Sequence, residues 1–264
     1  MSTGDESAAI TRIRREPPPF RRLEVRRIED LTPHMRRVVL GGPELDGFEL
    51  DLPAASVRLL LPQRGSDAIE MPVWTGNQFE LANGERAPIR TFTPRRLDVQ
   101  RLELTLDVVL HATGAATDWA RSTQPGDVVA VSGPGRGYEI DTDASSYLLA
   151  GDESAIPAID QLLEAMPPSM PITAHVEITD PSARMELHAH PLTSVTWHVL
   201  GDGHEPGDAV ASAIEALDEL PDAIWVAGEA AAVQRLRKHF FDTCGRSRST
   251  VTARGYWKHG RSAT

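Results

Sequence analysis

Cysteine is nearly missing from this chain of 264 residues, Cys244 being the only one. A single thiol makes no internal disulfide and no thiolate metal site, so a reducing, cytoplasmic compartment is the default expectation. No run of 18 or more apolar residues occurs, which leaves no candidate membrane helix and no expected membrane partner. The N-terminus carries charges and lacks the apolar core of a secretory signal. An excess of positive charge is also absent. The formal net charge is −11, which argues against a general nucleic-acid binder. Between residues 141 and 229 the only Lys or Arg is Arg184. Acid is missing instead from residues 245–264, where Arg246, Arg248, Arg254, Lys258 and Arg261 are mixed with Tyr256 and Trp257. A hydrophobic content of 41% still supplies ample core for a globular protein.

Residues 1–16 have no apolar periodicity and read as a disordered tail. Pro17, Pro18 and Pro19 then open the fold. Short apolar or alternating runs at 20–27, 35–40, 57–61, 90–94, 102–110 and 128–131, parted by Gly and Pro, predict strands of a β-barrel or sandwich. One short helix is expected over 115–121. The rhythm changes after the polar stretch 141–146. Strands are expected at 147–150, 172–178, 194–200, 223–227 and 250–257, with helices over 155–166, 208–220 and 230–241. Strands alternating with helices indicate a parallel sheet covered by helices. The reading is therefore a two-domain β plus α/β chain, with an antiparallel β-barrel over 17–141 and a parallel α/β sandwich over 146–264.

Three places carry candidate chemistry. Arg90-Thr91-Phe92-Thr93 closes a strand with a cation and an aromatic ring, a pair suited to holding a flavin nucleotide. Two strand ends, Gly151-Asp152-Glu153-Ser154-Ala155 and Gly228-Glu229-Ala230, run through a glycine turn and an acid into a helix. Ligands of parallel sheets collect at such carboxyl ends, where helix N-termini offer free amides to phosphates. The acids there can cap helices or hold ribose hydroxyls. His188 and His190 alternate as if on one strand face and His198 and His204 follow, yet their spacing matches no recognised metal site, so no bound metal is expected. Gly133-Pro134-Gly135-Arg136-Gly137 lacks the strand–helix context of a dinucleotide fingerprint.

The segments Leu148-Leu149-Ala150-Gly151-Asp152-Glu153-Ser154-Ala155-Ile156-Pro157-Ala158-Ile159, Trp225-Val226-Ala227-Gly228-Glu229-Ala230 and Arg254-Gly255-Tyr256-Trp257-Lys258-His259-Gly260-Arg261 resemble signatures of the siderophore-interacting protein family. That family comprises FAD-dependent ferric-siderophore reductases of the ferredoxin–NADP reductase type, and the resemblance runs from Phe20 to Arg261. It implies an FAD-binding barrel, a C-terminal NAD(P)H domain, and an enzyme that passes electrons from NADPH or NADH through FAD to siderophore-bound Fe(III). Under it Arg90 would pair with an FAD phosphate, Phe92 would lie against the flavin where relatives commonly carry Tyr, and Thr93 would sit near the reactive N5. The turn of His111, Thr113, Gly114, Ala116 and Thr117 would cradle the pyrophosphate, although Ala112 and Ala115 stand where Gly and Pro are more usual. The turns at Asp152–Ala155 and Gly228–Ala230, together with Tyr256 and Trp257, would serve the nicotinamide cofactor. Apart from the resemblance, which includes users of both cofactors, Arg184 follows the strand 172–178 where the adenosine ribose of such sheets usually lies and is expected near a 2′-phosphate, with Asp180 competing for an unphosphorylated ribose. Arg58, Arg136, Lys258 and Arg261 would face an anionic ferric siderophore. No residue is expected to act as a catalytic acid or base, since electrons pass through the flavin. A monomer is expected. The alternatives are a flavin-dependent electron-transfer reductase with another acceptor and a non-enzymatic siderophore-binding module.

Overall fold

The computed structural model describes residues 16–63, 68–111 and 113–260. The expected tail therefore lies outside the described residues apart from Glu16, and so does Arg261. The first half of the chain forms β1 (Phe20–Thr32), β2 (Met35–Gly41), β3 (Val57–Leu60), a small hairpin of β4 (Val73–Trp74) and β5 (Phe79–Glu80), β6 (Ile89–Phe92), β7 (Pro94–Asp98), β8 (Glu103–Val109), α1 (Ala115–Ser122) and β9 (Val128–Ser132). Seven of these strands make one antiparallel sheet in the order β6-β3-β9-β1-β2-β8-β7. Its concave face holds a core that includes Val25, Leu40, Leu59, Leu106 and Val131, with Trp119 of α1 packed against it.

The sheet is curled but open, because β6 and β7 are its two edges and do not pair. It is the antiparallel barrel read from the sequence, in the form of a half-barrel. A single strand was expected over 90–94. The chain instead leaves one edge at Phe92, turns at Thr93, and resumes as the opposite edge at Pro94. Proline has no amide to give a ladder and sits comfortably at the start of an edge strand. Thr93 is thereby fixed at the seam where the two edges approach.

The second half contains β10 (Tyr147–Asp152), α2 (Ile156–Ala165), β11 (Ile172–Ile178), β12 (Thr193–Val199), α3 (Asp208–Glu215), β13 (Ala223–Glu229), α4 (Ala230–Lys238) and β14 (Val251–Trp257). Its sheet has the order β12-β11-β10-β13-β14, and every pair is parallel. The central strands β10 and β13 are buried along their whole length, as expected where helices cover both faces. α3 stops at Glu215, short of the expected 220. Leu217 and Leu220 nevertheless pack on the same core from irregular chain, which is why their spacing read as helix.

The two halves share a core. Met35, Ala54 and Val109 of the first sheet's half pack in one cluster with Tyr147, Leu149, Ile159 and Trp225 of the second. Polar contacts fix the same joint. Arg95 bonds Asp160 at 2.6 Å and Glu164 at 2.9 Å, both on α2. The Ala54 amide donates to Gln161 Oε1 at 2.9 Å. Arg254 of β14 reaches back to the carbonyls of Ala54 at 3.0 Å and Gly137 at 2.7 Å. Among the described residues no helix is long and apolar enough to cross a membrane.

Candidate functional site

The carboxyl edge of the parallel sheet meets the seam of the curled sheet. Gly151 lies where β10 passes closest to β13, and a Cβ there would stand 2.2 Å from the Ala227 carbonyl oxygen. Gly228 has φ +142, and its Cβ would stand 2.5 Å from Asp152 Oδ2. Both positions are closed to any larger residue, so the two turns are held tightly together.

The acids in these turns are bonded to the protein itself. Asp152, 8% exposed, accepts from the Ser154 amide at 2.9 Å and hydroxyl at 2.5 Å on Oδ1. Its Oδ2 accepts from the Glu229 amide at 2.7 Å and from Trp257 Nε1 at 2.8 Å. Glu229 caps α4 through the amides of Ala231 and Ala232. It also accepts from the His259 amide at 3.1 Å. Glu153 accepts from the amide and hydroxyl of Thr179 at 2.6 and 2.7 Å. Glu177, which the sequence did not single out, accepts from Gly207, Ala209 and Val210 amides at 2.5–3.1 Å and so caps α3. Burial pushes the Glu177 carboxyl up, against the pull of those amides. What the two turns present to a ligand is therefore backbone and ring edges, while their carboxylates hold the frame.

The contrast is α1. Gly114 is its N-cap at φ +141, and no side chain caps the first turn. A Cβ at Gly114 would meet nothing within 4 Å, so the approach is open. A first turn of this kind leaves backbone amides free, as a phosphate site requires. Ala116 is half-buried, Thr117 is buried, and Thr113 is exposed.

Arg90 and Phe92 share one face of β6, the face of their partners Leu59 and Val57, which are core residues. Arg90 is half-buried, and its one bond is from Nη1 to the Ile89 carbonyl at 2.9 Å. Among the described residues it has no carboxylate partner. Burial, and then the charge of Arg86, lower its pKa. Thr91 and its partner Arg58 lie on the other face, next to Ser132. Arg58 is thus one strand from the Arg90 motif but does not share its face.

The C-terminal segment closes the site from the second domain. The Thr93 hydroxyl donates to Tyr256 Oη at 3.4 Å. Burial pushes the Tyr256 phenol up. The Trp257 ring lies 5.2 Å, centroid to centroid, from that of His111. Lys258 and Arg136 are exposed, and Arg184 is exposed just beyond the turn that Asp180 caps. Asp180 bonds the amide and hydroxyl of Ser182 at 2.8 and 2.5 Å, which lowers its pKa. The structure thus brings together the β6 motif, His111 and the α1 turn with Tyr256 and Trp257. Sequence reasoning missed Arg254, Arg95 and Glu177. A lone Arg or Glu in a strand carries no sequence signal that separates a clamp from a solvated charge.

His188 and His190 are not on a strand. They lie in irregular chain before β12, held by the bond from the His188 amide to Asp160 and by His190 Nε2 against the Pro167 carbonyl at 3.0 Å. The alternation is accidental, because each histidine answers a separate partner. His198 instead stacks on His175, with Nδ1 of His175 3.0 Å from Nε2 of His198. Burial lowers both pKa values below the ordinary 6.5, and for His175 the neighbouring ring adds to it. The unfolded chain then binds more protons than the folded one as pH falls below about 6.5, so stability is full above that value and declines beneath it. We expect the melting temperature to drop between about pH 7 and pH 5.5, and His198→Gln to flatten that part of the profile. An unchanged slope in the variant would show that the pair does not titrate in this range.

Comparison with known proteins agrees with this geometry. Residues 24–138 match the family model described as siderophore-interacting FAD-binding domain, and residues 144–260 match that of siderophore-interacting protein. The NADPH-dependent ferric-chelate reductase of Escherichia coli is 30% identical over 243 residues, covering 90% of this chain and 92% of that protein. The ferric vibriobactin reductase ViuB of Vibrio cholerae is 29% identical over 247 residues, covering 92% and 90%. The crystal structure of a siderophore utilization protein from T. fusca superposes with a TM-score of 0.82 at 32% identity, covering 94% of this chain and 96% of that one.

Proposed function

The chain belongs to the siderophore-interacting protein family, and on that premise we propose that it is an FAD-dependent ferric-siderophore reductase that draws electrons from NAD(P)H and releases Fe(II). The observation that carries this reading is Arg90, a half-buried guanidinium with no acid partner among the described residues, in the same half of the chain as α1, whose first turn no described side chain caps. A partly desolvated cation favours an anion, and the FAD pyrophosphate would supply one to Arg90. Bound flavin contributes the step that side chains cannot, taking a hydride pair and handing electrons on singly.

The residues have separable tasks. Arg90 fits a phosphate through its planar fork, and the α1 turn from His111 to Thr117 offers amides to the same group. Phe92 supplies the apolar wall of the flavin site. Thr93, held at the seam with its hydroxyl on Tyr256 Oη, would lie near the flavin's reactive edge. Tyr256 and Trp257, which meet Thr93 and His111 from the second domain, would flank that edge. The Asp152–Ala155 and Gly228–Ala230 turns carry the nicotinamide nucleotide on their backbone, with the acids keeping the turns in shape. Arg58, Arg136 and Lys258 would give the anionic ferric siderophore a positive rim, and iron would enter as substrate.

The test is a visible spectrum of the purified protein, which should be that of a flavoprotein, followed by anaerobic turnover with NADPH. Replacing Arg58 and Lys258 together should raise KM for an anionic ferric siderophore and leave a neutral acceptor nearly unchanged. The effect should shrink with salt, since exposed charges are screened over about 8–10 Å at ordinary ionic strength. A colourless protein that gains no activity on adding FAD would overturn the enzyme reading. Equal losses for both acceptors would remove the two bases from the substrate rim. The donor preference is tested separately. Asp180 is engaged in its own turn, which leaves Arg184 to receive a 2′-phosphate, so a modest preference for NADPH is expected. An NADPH-to-NADH ratio of kcat/KM that Arg184→Ala leaves unaltered would dismiss that role.

A further inference from the structure

The two main sheets have four edges, and three of them carry groups that discourage further pairing. β6 bears Arg90. β7 bears Pro94, Arg95, Arg96 and Asp98. β14 bears Arg254, which is clamped to the other domain. The fourth edge is β12, seven residues with the sequence Thr-Ser-Val-Thr-Trp-His-Val and no charge or proline. Proteins seldom leave such an edge unprotected unless it is covered.

The free side of β12 can be read from its ends. The Ile172 amide donates to the Leu192 carbonyl, and the Leu200 amide to the Ile178 carbonyl, both at 2.9 Å. Even-numbered residues therefore bond inward to β11. Val195, Trp197 and Val199 direct their amides and carbonyls outward. Val195 and Val199 are 38% and 41% exposed, and Leu192 beside them is 50% exposed. Trp197 packs against the core below, which puts these odd-numbered side chains on the α2 side of the sheet.

We propose that β12 pairs antiparallel with β12 of a second copy, making one ten-stranded sheet across a two-fold axis at Thr196. In this register all seven residues are matched. Val195 faces Trp197 of the second copy, and Thr193 faces Val199, so apolar groups meet on one side. Ser194 faces His198 on the other side, and Thr196 faces itself. The outward amides and carbonyls of Val195 and Trp197 answer each other, and no like charges are brought opposite. An isologous pairing of this kind closes at two chains. The dimer takes the place of the monomer suggested by the sequence alone. It leaves the carboxyl edges of β10 and β13 untouched and is independent of the catalytic reading.

Sedimentation of the full chain at micromolar concentration should give a particle of twice 28.8 kDa. Thr196→Lys puts two ammonium groups face to face at the axis, on an exposed position where folding is not at stake. It should raise the dimer dissociation constant at least about tenfold while flavin content and melting of the monomer are kept. Register is read by Thr196→Cys combined with Cys244→Ser. Residues facing each other at a non-hydrogen-bonded antiparallel site have Cα atoms about 4.5 Å apart, within reach of a disulfide, so mild oxidation should link the two copies. A wild-type chain that sediments as a monomer overturns the proposal. So does a dimer indifferent to Thr196→Lys, or one that the Thr196→Cys substitution fails to cross-link.

Discussion

Arg90→Ala should lower FAD affinity tenfold to more than a hundredfold, the equivalent of about 1.5–3 kcal/mol for a charge-assisted contact to phosphate. Arg90 is half-buried, bonds among the described residues only to the Ile89 carbonyl and sits near the like charge of Arg86. The same facts predict the opposite sign for the flavin-free protein. Removing a partly desolvated cation that has no acid partner relieves a cost, so apoprotein melting should be unchanged or slightly higher. Arg90→Lys keeps the charge without the fork and should fall between the two. Fluorescence titration with FAD gives the affinity, and thermal melting of the apoprotein gives the stability. If Arg90→Ala binds FAD like the wild type, Arg90 is not the phosphate ligand. If the apoprotein melts well below wild type, the residue supports the sheet instead.

Much of the frame was legible in the sequence, and the reasons are local. β10 and β13 read correctly because both are continuous apolar runs ended by glycine, and Gly151 and Gly228 are the positions where β10 and the β13 turn leave no room for a Cβ. Arg90 and Phe92 share a strand face, as residues two apart in a strand do, but the strand expected over 90–94 breaks at Thr93. What stayed hidden depends on distance along the chain. Arg254 clamps Ala54, 200 residues away, and Gly137, 117 away. Arg95 holds α2. No local pattern distinguishes these arginines from Arg101 on the surface. β7 was hidden for a different reason, since Pro94 read as a strand's end and is its beginning. The acids at the turns were visible, but their bonds were not. Asp152 and Glu229 gather amides and an indole from three elements, and only the fold puts those donors within reach.

Those clamps bear on function. A shared apolar cluster, the Arg95–Asp160 pair and the Arg254 carbonyl contacts all cross one joint. They fix Thr93 against Tyr256 and His111 against Trp257. A site assembled from two domains keeps its geometry only if the joint is stiff, and here the stiffness comes from polar groups that a sequence reading assigns to solvent.

Asp152 is the residue on which that geometry converges, and replacing it should have the largest effect on stability. Its Oδ1 accepts two bonds from Ser154, and its Oδ2 accepts from the Glu229 amide and from Trp257 Nε1. Asp152→Ala strands several buried donors at once and should cost about 3–5 kcal/mol, a fall in Tm of roughly 10 °C for a chain of this size. Asp152→Asn tests the cause. It keeps the volume and one acceptor, but it turns an NH2 toward either the Ser154 pair or the Glu229 and Trp257 pair. Two donors then face a donor, so Asn should recover little of what Ala loses, whereas a role in packing alone would let Asn restore most of it. Near-ultraviolet circular dichroism should report the same event, because Trp257 loses its anchor and its place beside His111. An Asp152→Asn protein with wild-type Tm and an unaltered tryptophan signal would show that the carboxylate is not what fastens β14 to the turn.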